Sequence, residues 1–313
     1  MATLICGSVA YDTIMVFQDH FKNHILPDKV HMLSVSFLVP EMRREFGGCA
    51  GNIAYNLKLL GGDPIIMATV GQDFAPYKDR LDQLGIRYDC VRVLEQQYTP
   101  QCFITTDLAD NQITAFHPGA MSFSHDNGFG HVSGEIKLGH VGPDGLDGML
   151  KRCRDFQAAG IPFVFDPGQG TPLFTGEQLL ECIRAADYVT FNDYEAELVR
   201  SKTGLGAAEL ARDVKALVVT LGSQGSTIYA DGKVFDIPVV QPVSVVDPTG
   251  CGDAYRAGLL YGIERNWDWD TTGRLASLIG AVKVAARGAQ NHHFSLDSLA
   301  EAFRRHFGRE LPR

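Results

Sequence analysis

VVDPTGCGDAYRAGLLYG, residues 245–262, holds two carboxylates six residues apart, Asp247 and Asp253, with Gly250 and Gly252 between them. A short apolar run leads in, and the apolar segment Ala254–Tyr261 follows with Arg256 as its only charge. This order predicts a strand end, a glycine turn and the first turn of a buried helix. Small residues at a helix N-terminus leave backbone N–H groups free, and the helix dipole adds positive potential there, which suits an anion. Asp253 then stands at the anion site itself. A carboxylate there opposes simple binding; it makes sense if it takes the proton of a hydroxyl that attacks a phosphate. The plain alternative is a glycine turn with an aspartate helix cap, and this stretch taken alone leaves both readings open.

The rest of the chain narrows the choice. Its 313 residues suffice for one large α/β domain with a sizeable core. The net charge of −9 argues against a nucleic-acid partner, which would demand clustered Lys and Arg, but not against a small anionic ligand held at one local site. No apolar run approaches the ~18–20 residues of a membrane helix. Met1–Ser8 has neither a basic region nor a long apolar core, so it does not read as a secretory signal. Seven scattered cysteines without a C-x-x-C pair suggest free thiols in a reducing cytoplasm.

Several strand-to-helix junctions carry candidate site residues. Leu4–Ser8 reads as a buried strand entering a small-residue turn, with Asp12 just beyond it, where ligands collect in open α/β sheets. EFGGCAGNIA, residues 45–54, is a second glycine-rich loop opening a helix; Asn52 would face whatever binds there. The apolar run MLSVSFLV, 32–39, predicts an edge or lid strand, and Gln101–Asp107 with Gln112–Phe116 predicts a hairpin across the turn Leu108–Asn111. These pieces would make a small β lid. From Leu146 onward helices and strands alternate. Asn192 and Glu195 share one helical face, although an Asn followed three residues later by Glu is also close to a capping box. Ala216–Leu221 is a strand leaving through Gly222 and Gly225, and Arg287–Asn291 is the loop after a long apolar helix.

Several motifs are missing. There is no G-x-x-x-x-G-K-[ST] loop, no H-R-D or D-F-G, and no G-x-G-x-x-G after the first strand. Their absence counts against P-loop ATPases, protein kinases and NAD enzymes respectively. The histidines lack the spacing of a zinc site.

Four elements in order resemble the ribokinase or PfkB family of small-molecule kinases: FGGCAGNIAYNLKLLG (46–61), Asn192 with Glu195, Thr220-Leu221-Gly222 followed by Gly225, and DPTGCGDAYRAG (247–258). The resemblance covers nearly the whole chain. It implies a single ribokinase-like domain over 1–313, a three-layer α/β/α fold with a mostly parallel central sheet, and a β lid from about 13–45 and 98–120. It implies Asp253 as catalytic base, with an anion hole from the amides of Gly250, Cys251, Gly252 and Asp253. Asp12, Gly48, Cys49 and Asn52 would hold ribose hydroxyls. Asn192, Thr220, Gly222, Gly225, Gly288 and Asn291 would line ATP, and Glu195 would reach Mg²⁺ through water. Asp247 and Thr249 would belong to a loop for a monovalent cation such as K⁺.

The chain departs from the family pattern at Cys251, whose thiol could be oxidised, and at Tyr255-Arg256. The loop DPGQG (166–170) lacks the Arg that other branches carry, which weakens a sugar-phosphate reading. That loop, the DAYRAG form and the FHPGAM exit from the lid are similar to the nucleoside-kinase branch, with adenosine or other purine nucleosides as acceptor. Phe116, Met121 and Gln169 would supply an apolar slot and polar contacts for the base. A ribokinase-type sugar kinase acting on free ribose and a non-catalytic ligand-binding protein of the same fold are the alternatives. A homodimer through the lid is the partner the resemblance suggests, since edge strands need covering.

Overall fold

The computed structural model describes every residue except 1, 33, 110, 131, 133 and 313. In chain order the elements are β1 (Ala2–Cys6), β2 (Ala10–Val16), β3 (Glu41–Gly47), α1 (Cys49–Leu59), β4 (Pro64–Gly71), α2 (Ala75–Leu84) and β5 (Arg87–Leu94). Next come β6 (Gln101–Thr106), β7 (Gln112–His117), β8 (Ile136–Val141), α3 (Leu146–Ala159), β9 (Phe163–Phe165), α4 (Gly176–Ala185), β10 (Tyr188–Asn192) and α5 (Asp193–Thr203). The last are α6 (Ala207–Leu210), β11 (Ala216–Thr220), β12 (Ser226–Ala230), β13 (Lys233–Ile237), α7 (Cys251–Glu264), α8 (Trp269–Val284) and α9 (Leu296–Phe307).

The larger sheet has the order β13-β12-β11-β10-β9-β8-β1-β4-β5. It is parallel from β11 to β5, and β12 and β13 close it as an antiparallel hairpin. The two-residue period of a strand builds both faces. Ile5 points into a core with Ile53 of α1, Tyr77 of α2, Leu260 of α7, Leu278 of α8 and Phe303 of α9. Its neighbours Leu4 and Cys6 point the other way, against Met149 of α3, Ile183 of α4 and Val199 of α5. Three layers result, and every residue of β4 is buried because both faces are covered.

A second sheet, β3-β2-β6-β7, stands apart as the lid. Its register lines up Glu45, Asp12, Cys102 and Phe116 in one row across one face. The opposite face presents Met15, Met42, Phe103 and Ile113.

Two sequence expectations fail here. Residues 34–39 of the apolar run form no strand, and Leu33 lies outside the described residues. The strand that pairs with β2 is the charged EMRREFG that follows, because an edge strand of a lid open on both sides needs backbone pairing more than apolar side chains. The lead-in to residue 247 is likewise not a strand: Val243 and Val245 are 96% and 75% exposed, with no sheet neighbour. The turn expected at Leu108–Asn111 joins β6 to β7, with Asp110 outside the described residues. β2 and β8 carried no clear sequence signal. The sheet places β8 between β1 and β9, with His140 and Val141 at its carboxyl end.

Candidate active site

The N-termini of α1 and α7 meet at the carboxyl ends of the central strands. The Asn52 amide donates to Asp253 Oδ2 at 2.8 Å, joining residues 201 positions apart in the chain. Gly48 caps α1 at φ 85°, and a Cβ there would lie 2.6 Å from the Ala10 nitrogen, so only glycine lets this loop pass the lid strand. Gly250 caps α7 at φ 78°. Among the described residues no side chain caps α7, and the amides of Gly252 and Asp253 have no protein acceptor. The Cys251 N–H, expected in the anion hole, instead donates to the Pro248 carbonyl at 3.1 Å; the tight turn that swings Gly250 into place closes on it.

Asp253 lies in a built environment. Burial raises its pKa, while the Asn52 bond and the nearby Arg256 guanidinium pull it back down. Asn52 is itself held: its carbonyl accepts from Gln290 Nε2 at 3.0 Å, Gln290 also donates to Tyr77 Oη at 2.7 Å, and Tyr77 donates to the Gly47 carbonyl at 2.9 Å. One helical turn past Asp253, the buried Arg256 bonds Asp166 through both Nε and Nη2, the latter at 2.8 Å. His140 Nε2 lies 3.3 Å from the same carboxylate, and Glu195 lies 3.8 Å from Arg256. Arg256 holds the Asp166 carboxyl below its ordinary value despite burial.

Asp12 faces this cleft from the lid. Its pKa is raised to about 6, first by burial and then by the carboxylates of Asp253, Asp247 and Glu45. Cys49 opens α1 with its N–H on Ser8 Oγ at 3.0 Å, and burial pushes its thiol well above the usual range. Burial likewise raises the Cys251 thiol to about 11. Phe116 is 51% exposed, Gln169 is exposed and Met121 half-buried, so these three stand open rather than packed into a slot.

A cavity of about 440 Å³ runs from the strand ends to the start of α7. Thr220, Gly222 and Gly225 line one end, Cys251 and Gly252 the other, with Val240, Pro242 and Ala281 among the apolar walls. Asn192 sits beside Thr220 in the sheet register, but its side chain is engaged in a full capping box with Glu195. Gly288 and Asn291 are not in the cavity wall. Gly288 N–H donates to Asp247 Oδ2 at 2.8 Å, and the Asn291 amide donates to Glu45 Oε2 at 2.9 Å, so both tie loops together.

Among the described residues there is no cluster of three or more His, Cys, Asp or Glu side chains suited to a metal. An Mg²⁺ carried on nucleotide phosphates would be reached through water held on Glu195, whose oxygens keep lone pairs beyond the two bonds they accept from Asn192. The monovalent cation expected at Asp247 and Thr249 does not fit. The Asp247 carboxylate accepts the N–H groups of Thr249 and Gly288, and the Lys283 ammonium already sits on the Asp247 carbonyl at 2.7 Å.

The model of the pfkB family carbohydrate kinases matches residues 8–294. The chain belongs to the pfkB family. As a member it is a phosphotransferase acting on a hydroxyl group. It is 32% identical to a nucleoside kinase of Methanocaldococcus jannaschii over 87% of this chain and 90% of that protein. It is also similar to the nucleoside kinase of Burkholderia thailandensis in complex with inosine, at 53% identity and a TM-score of 0.89 over 99% of both chains. For the ADP-inosine complex the identity is 54% and the TM-score 0.87, over 99% of this chain and 97% of that one.

Within this pfkB site the residues that sequence reasoning missed are Tyr77, Asp166, His140 and Lys283, while Gln290, in the loop expected to line the nucleotide, binds Asn52 instead. One left a trace. Lys283 stands in the apolar run ASLIGAVKV; a buried charge demands partners.

Proposed function

We propose that this chain is an ATP-dependent nucleoside kinase, moving the γ-phosphoryl of MgATP to the 5′-hydroxyl of a nucleoside, adenosine and other purine nucleosides included. The observation that carries the reading is the Asn52–Asp253 bond, which joins two glycine-opened helices beside a cavity of nucleotide size. Asp253 accepts the proton of the acceptor hydroxyl as its oxygen attacks phosphorus, and the bond to the ADP oxygen breaks. The free amides of Gly252 and Asp253, with Gly250, take the phosphoryl oxygens. Mg²⁺ bound with the nucleotide would neutralise phosphate charge, near Glu195. Asp12, Gly48, Cys49 and Asn52 hold the ribose, while Phe116, Met121 and Gln169 contact the base once the lid closes and excludes water. Thr220, Gly222 and Gly225 hold the nucleotide. The relatives bound to inosine and to ADP with inosine support this acceptor class.

The enzyme works as a homodimer through the exposed lid face, in the cytoplasm, where its seven free cysteines stay reduced.

Two measurements test the reading. Asp253→Asn should lower kcat by about 10²–10⁴-fold, the range for general acid–base groups, with nucleoside affinity kept. Retained turnover overturns the base assignment. In a panel of nucleosides and free sugars, purine nucleosides should drive ATP consumption; turnover of ribose alone would replace the nucleoside with a sugar.

A further inference from the structure

Lys283 lies in the last turn of α8 and is fully buried, at 0% exposure. Its ammonium donates to the backbone carbonyls of Asp247, at 2.7 Å, and Ala286, at 3.2 Å. Those carbonyls belong to two loops: 245–250, which leads into the N-terminus of α7, and 285–291, which follows α8. The same two loops are tied by Asp247, whose carboxylate accepts the Gly288 N–H at 2.8 Å and the Thr249 N–H at 2.9 Å. They also touch directly, since a Cβ on Gly250 would lie 2.8 Å from that of Ala289.

A buried lysine without a hydrogen-bonded carboxylate is costly, and an apolar side chain of similar length would be cheaper for stability alone. What the position supplies is a positive charge on two main-chain carbonyls at the root of the anion-binding turn. A bound monovalent cation does the same work with the same oxygen ligands, and an ammonium is close to potassium in size. Burial lowers the Lys283 pKa, while the carboxylate of Asp247, the Cys251 thiol and the carboxylate of Asp253 oppose that shift.

We infer that Lys283 is a built-in cation: its ammonium occupies the place of a monovalent metal ion, orders the 245–250 loop for phosphoryl transfer, and makes the enzyme independent of K⁺. It is a positioning residue, acting through the backbone carbonyls of Asp247 and Ala286. The inference rests on the kinase reading of the α7 turn, so its test includes readouts that need no turnover.

The wild-type enzyme is dialysed against choline buffer and compared with KCl at equal ionic strength. Activity and Tm should agree between the two, within twofold and within error. Crystals soaked in a thallium salt should show no anomalous peak between the carbonyls of Asp247 and Ala286. Lys283→Met should lose about 10²-fold in kcat, on the scale of an anion-hole defect, with nucleoside KM kept. K⁺ or NH₄⁺, but not choline, should restore part of that loss and raise the variant's Tm. A thallium peak in the wild type, a K⁺-dependent rise in wild-type Tm, or activation of the wild type by K⁺ of tenfold or more would overturn the inference. The wild-type arms decide it even if Lys283→Met does not fold. A folded Lys283→Met with unchanged kcat would also overturn it.

Discussion

Asp12 is strained by its company. Its pKa is raised from 3.8 to about 6 by burial and by the carboxylates of Asp253, Asp247 and Glu45. A carboxylate whose folded pKa is raised is destabilising when ionised. The penalty is absent below pH 3.8, grows between 3.8 and about 6, and is complete above that. Asp12→Asn should therefore unfold at higher denaturant than the parent at pH 7, with the gain shrinking as pH falls through that window. Urea titrations at several pH values read it directly; a gain that is constant with pH would show that the carboxylate charge is not the cause. The same substitution should weaken nucleoside binding through the proposed ribose contact, because the amide offers one acceptor oxygen where the carboxylate offers two. Arg256 shows the opposite arrangement. Its guanidinium is buried with a matched carboxylate at Asp166, which fixes α7 against the loop after β9 one turn behind the proposed base.

At the scale of elements, α7 and α8 carry the site between them. α7 presents the proposed anion turn, and α8 brings Lys283 onto the Asp247 carbonyl in the loop that leads into it. Their close approach depends on small residues: a Cβ on Gly258 would lie 2.6 Å from the Ala276 Cα and 3.0 Å from its nitrogen. Backbone atoms cannot step aside as a flexible side chain can. Gly258→Val should cost about 3 kcal/mol through overpacking, visible as a lower denaturation midpoint with unchanged m-value. It should also lower kcat, since displacing α8 displaces Lys283. Unchanged stability would mean that the two helices have slack at this crossing.

For the whole molecule the lid is the part with two distinct faces. One face turns Asp12, Cys102 and Phe116 toward the cleft, and the other exposes Met42, Phe103 and Ile113, at 71%, 39% and 42%. An apolar sheet face of this kind is unusual on a monomer. Light scattering after gel filtration should give twice the 34.2 kDa of one chain. Met42→Glu with Ile113→Lys should shift the mass to one chain while leaving the central sheet folded by circular dichroism. A monomeric parent protein would exclude the lid dimer.

Much of this was legible in the residues themselves. The helices over Leu146–Ala159 and Leu296–Phe307 have the bounds their apolar spacing and glycine stops predict. The glycine loops at 47–51 and 250–252 mark two helix N-termini, because backbone conformation at φ 85° and 78° is a local property of glycine. What local chemistry cannot carry is pairing over distance. Charged β3 took the place of the apolar run before it, since an edge strand is chosen by its neighbour's register. The Cys251 amide left the anion hole because the turn closed on it. Asp253 met Asn52, Arg256 met Asp166, and Lys283 met the carbonyl of Asp247 only after the sheet had folded. Glycine turns, helix spans and the order of motifs are written along the chain. The partners of its buried charges are not, because a charge buried by tertiary packing is satisfied by whatever that packing brings within hydrogen-bond reach.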